Sequence, residues 1–351
     1  MRAALGIVEG YYGTPWSWEA RAQTIAFLKA HGYGFYIYAP KADLFLRERW
    51  REEHPAQTAE HLRALSRHCR ETGVRFGVGL SPFEIHRDFG EDTRAALTRK
   101  LAFLDEVGID DLAILFDDMK GDDPDLAEKQ ADIVHWIAER SGCESVIVCP
   151  TYYSDDPVLD RVFGERPRHY LEEFGTRLDP SIDIFWTGEE VCSREFTRGH
   201  LERVANLIGR KPLLWDNYPV NDGKRMSQFL HLRAFTGRPA EIAGVIAGHA
   251  VNPALQPVLT RIPMLSLAES YARGSAYEYG RAFETAAQAV AGPELARLLK
   301  SDLLRLQDVG LDRLGDAAQS LRRRYAAFDH PAAREILAWL DGKWRVGNLL
   351  E

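Results

Sequence analysis

Eight short apolar runs, each followed by a segment of helical periodicity, constrain this chain more than any other feature. They are Leu5–Tyr11, Gly34–Lys41, Arg75–Pro82, Asp111–Asp118, Ser145–Tyr153, Asp183–Gly188, Pro212–Asn217 and Val245–Asn252. Rich in β-branched, aromatic and leucine residues, they read as strands. Their starts recur every roughly 34 residues, the length of one βα unit. Their mostly continuous apolar character suits a sheet buried on both faces. Eight such units predict an α/β fold, a closed (β/α)8 TIM barrel more than an open doubly wound sheet. A dinucleotide-binding sheet would need a glycine-rich phosphate turn after the first strand. Glu9-Gly10-Tyr11-Tyr12-Gly13 is not GxGxxG, and no Walker A sequence occurs.

The segments between the runs have apolar residues at helical spacing. Ser17 is placed to cap a helix carrying Ala22, Ile25, Ala26 and Leu28, closed by Gly32. Residues His61–Arg70 and Thr93–Val107 read the same way. Beyond about residue 273 the chain turns helical without strands, with amphipathic candidates at Glu294–Val309, Asp316–Phe328 and Ala332–Trp339. The expected organisation is a catalytic barrel over residues 1–272 and a C-terminal helical region over 273–351.

A net charge of −8 disfavours non-specific binding to nucleic acid or to an anionic membrane. No apolar run is long enough for a transmembrane helix, and the N-terminus runs straight into a strand without a leader-like apolar segment. The cysteines Cys69, Cys143, Cys149 and Cys192 show no CxxC pairing, which suits a reducing, cytoplasmic compartment.

In such a barrel, functional residues come from the C-terminal ends of the strands. Those ends combine carboxylates, amides, one lysine and many aromatics: Glu9–Gly13, Ala39–Asp43, Phe116–Met119, Cys149–Tyr153, Trp186–Gly188, Trp215–Asp222 and Asn252-Pro253. Aromatic faces with Asp and Asn partners suit a sugar ring, whose C–H face stacks and whose hydroxyls need polar partners. A phosphate site would want more Arg and Lys or a helix N-terminal cradle. A zinc site would want His and Cys clusters, and neither HExxH nor CxxC is present.

Asp117-Asp118 is the sharpest signal. On a regular strand, neighbours point to opposite faces, but at a strand end the turning chain can bring both carboxylates to one pocket. Two carboxylates that close repel, so one should hold its proton more tightly than the other. The dipeptide is also common as a solvated loop start or helix cap, as expected for Asp110-Asp111 and Asp122-Asp123. Glycosidases that use two carboxylates place them roughly 5 to 9.5 Å apart, on either side of the scissile bond. Adjacent aspartates fit that layout awkwardly. They fit a substrate that supplies its own nucleophile, a 2-acetamido group. One carboxylate would then orient the acetamido N–H and the other would protonate the leaving oxygen. Two alternatives stay open: a conventional two-carboxylate glycosidase acting on another β-hexosaminide, with Glu9 or Glu189 as partner, and a glycan-binding barrel without turnover.

Several motifs in order resemble one family. They are EGYYGTPW (Glu9–Trp16), YAPKAD (Tyr38–Asp43), LFDDM (Leu115–Met119), CPTYY (Cys149–Tyr153), FWTG (Phe185–Gly188), WDNYPVND (Trp215–Asp222), Asn252-Pro253 and RIPMLSLAESY (Arg261–Tyr271). From about Gly6 to Tyr271 the chain is similar to the catalytic core of glycoside hydrolase family 84, the β-N-acetylglucosaminidases, which include O-GlcNAcases and bacterial hyaluronidase-type enzymes. The resemblance implies retaining exo-hydrolysis of terminal β-linked GlcNAc through an oxazoline intermediate, with no metal and no cofactor. The implied partner is a carbohydrate, a β-GlcNAc glycoside or glycoprotein, and a homodimer is compatible with it. Asp117 then matches the carboxylate on the acetamido nitrogen, and Asp118 matches the general acid and later base. Tyr153 matches the tyrosine near the acetamido oxygen, and Cys149 the acetyl-pocket wall. Asn217 matches the asparagine at the reaction centre, and Asp222 the carboxylate on O4 and O6. Gly10, Lys41 and Asn252 match groups around O3 and O4, and Trp215 matches a pocket wall. Each has a plainer reading: Asp222 as a helix N-cap, Lys41 as a snorkelling surface lysine, Tyr153 and Trp215 as packing, and Cys149 as a small buried hydrophobe. The larger members of the family carry further domains, so a stalk that shapes a peptide groove is expected to be absent or minimal.

Overall fold

The strand-like runs form eight parallel strands that close on themselves in sequence order. The computed structural model describes residues 3–345. The strands are β1 (Leu5–Glu9), β2 (Tyr33–Tyr38), β3 (Arg75–Leu80), β4 (Asp111–Leu115), β5 (Ser145–Cys149), β6 (Asp183–Trp186), β7 (Leu213–Asp216) and β8 (Gly248–Val251). Closure is direct: Ile7 stands opposite Tyr36 of β2 on one side and Val251 of β8 on the other. All five residues of β1 and of β4 are buried, as a sheet covered on both faces requires.

The ordered strands are shorter than the apolar runs. The last one to four residues of most runs leave the sheet and form the barrel mouth, among them Phe116–Asp118 and Pro150–Tyr153. At the other end, β8 begins at Gly248 rather than Val245, because Ala240–Gly244 winds into a 3-10 turn ahead of it.

Between strands run the helices α1 (Trp18–Lys29), α2 (Ala56–Thr72), α3 (Glu91–Val107), α4 (Leu126–Ala138), α5 (Val158–Phe163), α6 (Tyr170–Arg177), α7 (Arg198–Ile208), α8 (Gly223–Met226) and α9 (Arg261–Arg273). The Ser17 hydroxyl caps α1 by accepting from the Ala20 amide. The helix stops at Lys29 with Ala30 as its cap, and Gly32, at φ +92°, belongs to the following turn into β2. Three more helices follow: α10 (Tyr279–Leu304), α11 (Ala317–Tyr325) and α12 (Pro331–Leu340). The candidate at Glu294–Val309 is a helix in its own right: Gly292 has non-helical backbone at φ +76°, so the span α10 is two helices meeting at a kink, the second opening at Pro293 and ending in a widened turn at Arg305–Val309.

These last helices are fastened to the barrel. Leu299, Leu306, Tyr325 and Trp339 belong to the same apolar core as the strands. The Gln307 side chain accepts from the amides of Leu232 and Arg233, and the buried Glu335 carboxylate accepts from those of Val258 and Leu259. No helix among the described residues is long and apolar enough to cross a membrane.

Two buried charge clusters brace the mouth from beneath. At the end of β1, the Arg21 guanidinium donates twice to the fully buried Glu9 carboxylate, at 2.8 Å each, and the Tyr11 and Tyr36 hydroxyls donate to the same group. At the end of β7, Asp216 receives two bonds from Arg238 and contacts His249, which in turn contacts Tyr271. Each cluster holds the strand terminus from which the next residue, Gly10 or Asn217, enters the mouth.

Candidate active site

One cavity of about 170 Å³ opens at the C-terminal end of the barrel. All ten residues singled out above line it: Gly10, Lys41, Asp117, Asp118, Cys149, Tyr153, Trp215, Asn217, Asp222 and Asn252. They come from the ends of β1, β2, β4, β5, β7 and β8, so only barrel closure brings them together.

The backbone explains how consecutive aspartates share one pocket. Asp118 sits at φ +58°, in the left-handed region. Asp and Asn are the non-glycine residues that tolerate this conformation best. The turn ends the strand alternation, and both carboxylates meet the same cation. The Lys41 ammonium donates to Asp117 and lies 3.3 Å from Asp118 Oδ2. Lys41 is buried, which rules out a snorkelling surface lysine.

The two carboxylates differ. Burial pushes Asp117 above the usual carboxylate range, against the pull of Lys41, and the neighbouring charge of Asp118 adds to the rise. Asp118 is also buried, but Lys41, the hydrogen bond from Tyr12 and the Arg47 charge outweigh that and hold it below the usual range. The pair therefore titrates as a unit with its members pushed apart. In the folded pocket Asp118 is the more acidic member. Asp117 Oδ1 is buried with no hydrogen-bond partner among the described residues, while Oδ2 is held by Lys41.

An amide chain knits the opposite wall. Asn252 accepts from the Gly10 amide at 3.2 Å and donates to Asn217 at 2.9 Å. Asn217 also accepts from the Trp215 indole at 2.9 Å and donates to the Val191 carbonyl at 2.8 Å. Asp222 precedes the short helix α8, but its side chain does not cap it. The carboxylate instead accepts from the Tyr12 amide at 2.8 Å, and burial raises its proton affinity. Burial likewise pushes the Cys149 thiol and the Tyr153 phenol well up, so both stay neutral, and Cys149 is a wall rather than a nucleophile.

Gly10 is required by close approach. A Cβ there would lie 2.2 Å from Trp215 Cζ2, so any side chain must displace the indole wall. Gly10→Ala is therefore expected to lower the thermal midpoint, with a cost of about 1–3 kcal/mol for overpacking, and to raise KM for a glycoside. Unchanged KM and midpoint would show that the indole moves freely.

Other carboxylates take plainer places. Glu9 is sealed in its ion pair beneath the mouth, and Glu189 does not line the cavity, so neither stands where a second displacing carboxylate must. Asp111 pairs with Arg75, Asp122 with Arg87 and Asp123 with Lys129, all away from the cavity. Lys120 bonds the Val162 carbonyl, and Trp186 is buried against His200. Tyr12, Thr187 and Val220, which lie in the strand ends quoted above but were given no role, line the pocket too, as do Val191 and Cys192, which lie outside them. Tyr12 had a signal, since it lies inside the strand 1 motif beside Gly10. Val191 and Cys192 come from an irregular loop after β6 whose path no periodicity foretells.

Comparison with known proteins settles the lineage. A family model described as beta-N-acetylglucosaminidase (NAGidase) matches residues 5–302. The chain belongs to this family. Curated relatives of this beta-N-acetylglucosaminidase family include the proteins named Protein O-GlcNAcase of Mus musculus and Rattus norvegicus. Each is 33% identical over 261 residues, 72% of this chain and 28% of the relative. The chain thus spans under a third of the length of those relatives. Among solved structures, an O-GlcNAc hydrolase mutant of Thermobaculum terrenum superposes with a TM-score of 0.80 at 29% identity, covering 96% of this chain and 80% of its own. CpGH84B superposes with a TM-score of 0.75 at 26% identity, covering 99% and 64%. Family membership and barrel agree with the resemblance read from the motifs.

Proposed function

We propose that this chain is a retaining exo-β-N-acetylglucosaminidase that removes terminal β-linked GlcNAc from O-GlcNAc-type or related glycosides, using the substrate acetamide as nucleophile. The observation that carries this reading is the unpartnered, buried Oδ1 of Asp117, an acceptor anchored from its other oxygen by Lys41. A buried acceptor without a donor costs about 1–3 kcal/mol, which a substrate N–H would recover.

The reaction then divides among named groups. Asp117 accepts from the acetamido N–H and turns the carbonyl oxygen toward C1. That oxygen forms a bond to C1 as the C1–O bond to the aglycone breaks, and Asp118 gives its proton to the departing oxygen. As the ring closes the nitrogen proton passes to Asp117, and the product is a neutral cyclic oxazoline. Asp118, now a carboxylate, takes a proton from water as the water oxygen attacks C1, Asp117 returns its proton to the nitrogen, and the ring opens to GlcNAc with retained configuration. In this reading Tyr153 meets the acetamido oxygen and Cys149 walls the acetyl methyl, which their lining of the same cavity supports. Asp222 takes the O4 and O6 hydroxyls, the Gly10 carbonyl, Lys41 and Asn252 surround O3 and O4, Asn217 stands at the reaction centre, and Trp215 forms a wall. Asp118 is the more acidic member before substrate binds, so the acid role requires that it regain a proton in the complex; a seated sugar covers the 14% of its side chain that is still exposed and favours that form. The four cysteines are free thiols, in keeping with a cytoplasmic setting.

The test compares an aryl N-acetyl-β-glucosaminide with the matching β-glucoside. Hydrolysis of the first with no measurable hydrolysis of the second is expected, because the glucoside lacks the nucleophile. Equal turnover would sink the mechanism, and tight binding of N-acetylglucosamine without turnover would sink the activity.

A further inference from the structure

Tyr12 connects the two ends of the pocket. Its hydroxyl donates to Asp118 Oδ2 at 2.6 Å, while its backbone amide donates to Asp222 Oδ2 at 2.8 Å. Two cations lie near its ring, the Lys41 ammonium 5.8 Å and the Arg47 guanidinium 5.9 Å from the centroid. We propose that Tyr12 is a positioning residue for this reaction: its phenol fixes the Asp118 carboxylate in the mouth while its amide fixes Asp222, so that one residue spaces the group working at the glycosidic bond from the group binding the far end of the sugar. The inference deepens the glycosidase reading and rests on it.

The left-handed backbone at Asp118 makes such a tether necessary. A residue held at φ +58° sits in a sparsely populated region and persists only where surrounding contacts over-determine it. Among the described residues, the side-chain contacts on the Asp118 carboxylate are the Tyr12 phenol and the shared Lys41 ammonium. Lys41 is already committed to Asp117, so among the described residues the phenol is the neutral donor that aims Asp118 alone. The charged and titratable groups facing Asp118 are Lys41 after β2, Arg47 in the following turn, Asp117 beside it, Cys149 and Tyr153 from β5 and its loop, and Asp222 after β7. Lys41 and Arg47 favour its anion, and Asp117 and Asp222 oppose it. A phenol donating to the carboxylate also favours the anion, so its removal must leave Asp118 protonated to higher pH.

Tyr12→Phe removes the hydroxyl and keeps both the ring and the amide. The experiment measures kcat/KM against pH for the parent, Tyr12→Phe and Asp118→Asn on the same N-acetyl-β-glucosaminides. In Tyr12→Phe the alkaline limb should move upward by roughly 1 to 2 pH units, the size of one hydrogen bond to a charged group. KM for the sugar should stay within about twofold, since Asp222 keeps its donor. An alkaline limb that does not move in Tyr12→Phe, with Asp118→Asn strongly impaired, overturns the proposal alone. Wild-type rates in Asp118→Asn on a poor leaving group overturn the reading beneath it. A ¹³C titration of the Asp118 carboxyl in the parent and in Tyr12→Phe gives the same answer without turnover: an upward move supports the tether, and coincident curves refute it.

Discussion

Asp118→Asn should lower kcat/KM by roughly 10²- to 10⁴-fold on a glycoside with a poor leaving group, the usual range for loss of a general acid. That corresponds to about 2.7–5.5 kcal/mol of transition-state stabilisation. The loss should shrink on an aryl glycoside whose leaving oxygen needs little protonation. Asparagine is the right replacement because it tolerates the left-handed backbone at this position almost as well as aspartate. It also keeps an oxygen that can accept from the Tyr12 hydroxyl. The fold is therefore expected to survive, and a thermal midpoint close to that of the parent would confirm that chemistry and not folding was lost. Parent-like rates on the poor leaving group would remove Asp118 from the acid role. An equal loss on good and poor leaving groups would assign it to binding instead.

Arg21→Met should destabilise the protein by about 3–5 kcal/mol, the cost of stranding one partner of a buried ion pair. Glu9 is fully buried, and Arg21 supplies two of its four donors. The guanidinium also lies 4.5 Å from the Trp18 ring and 4.9 Å from the Tyr38 ring, contacts that methionine replaces only in part. Replacing both members, Glu9→Gln with Arg21→Met, should recover much of the loss, because no uncompensated charge then remains. Chemical denaturation of the two variants separates these terms. A single variant as stable as the parent would mean that Glu9 reaches water or another cation when Arg21 is gone. The same pair bears on chemistry. A carboxylate closed off by one guanidinium and two phenols is a brace for the end of β1, and the Glu9→Gln, Arg21→Met protein should retain cleavage if Asp117 and Asp118 carry the reaction.

The barrel was legible because its signal is local and repeated. Each apolar run is long enough to bury two faces, and each is followed by a helix, several with their own cap or terminator, such as Ser17 at α1 and Gly73 and Gly108 after α2 and α3. The boundaries were less legible. An apolar residue such as Phe116 or Tyr152 is buried in the mouth whether or not it pairs in the sheet, so composition does not mark where pairing stops. Punctuation by Gly and Pro was legible within α10: the helix read from Glu294 onward begins at Pro293, directly after the non-helical Gly292, whereas the helical stretch before that kink was not singled out.

Residue chemistry and its order along the chain sufficed to name the barrel and to pick out, at the strand ends, ten candidate residues that line one cavity, a tandem acidic pair among them. Three things needed the closed structure. The left-handed turn at Asp118 aims both carboxylates inward. Lys41, brought from β2, joins them through one ammonium. Lys41, the Tyr12 hydrogen bond and Arg47 together hold Asp118 low, while burial wins at Asp117, so Asp118 is the more acidic of the two in the folded pocket. The division has a physical cause. Periodicity and side-chain type are properties of neighbours in sequence, whereas burial and charge–charge distance depend on which strand ends meet when the sheet closes, and those terms order the protons.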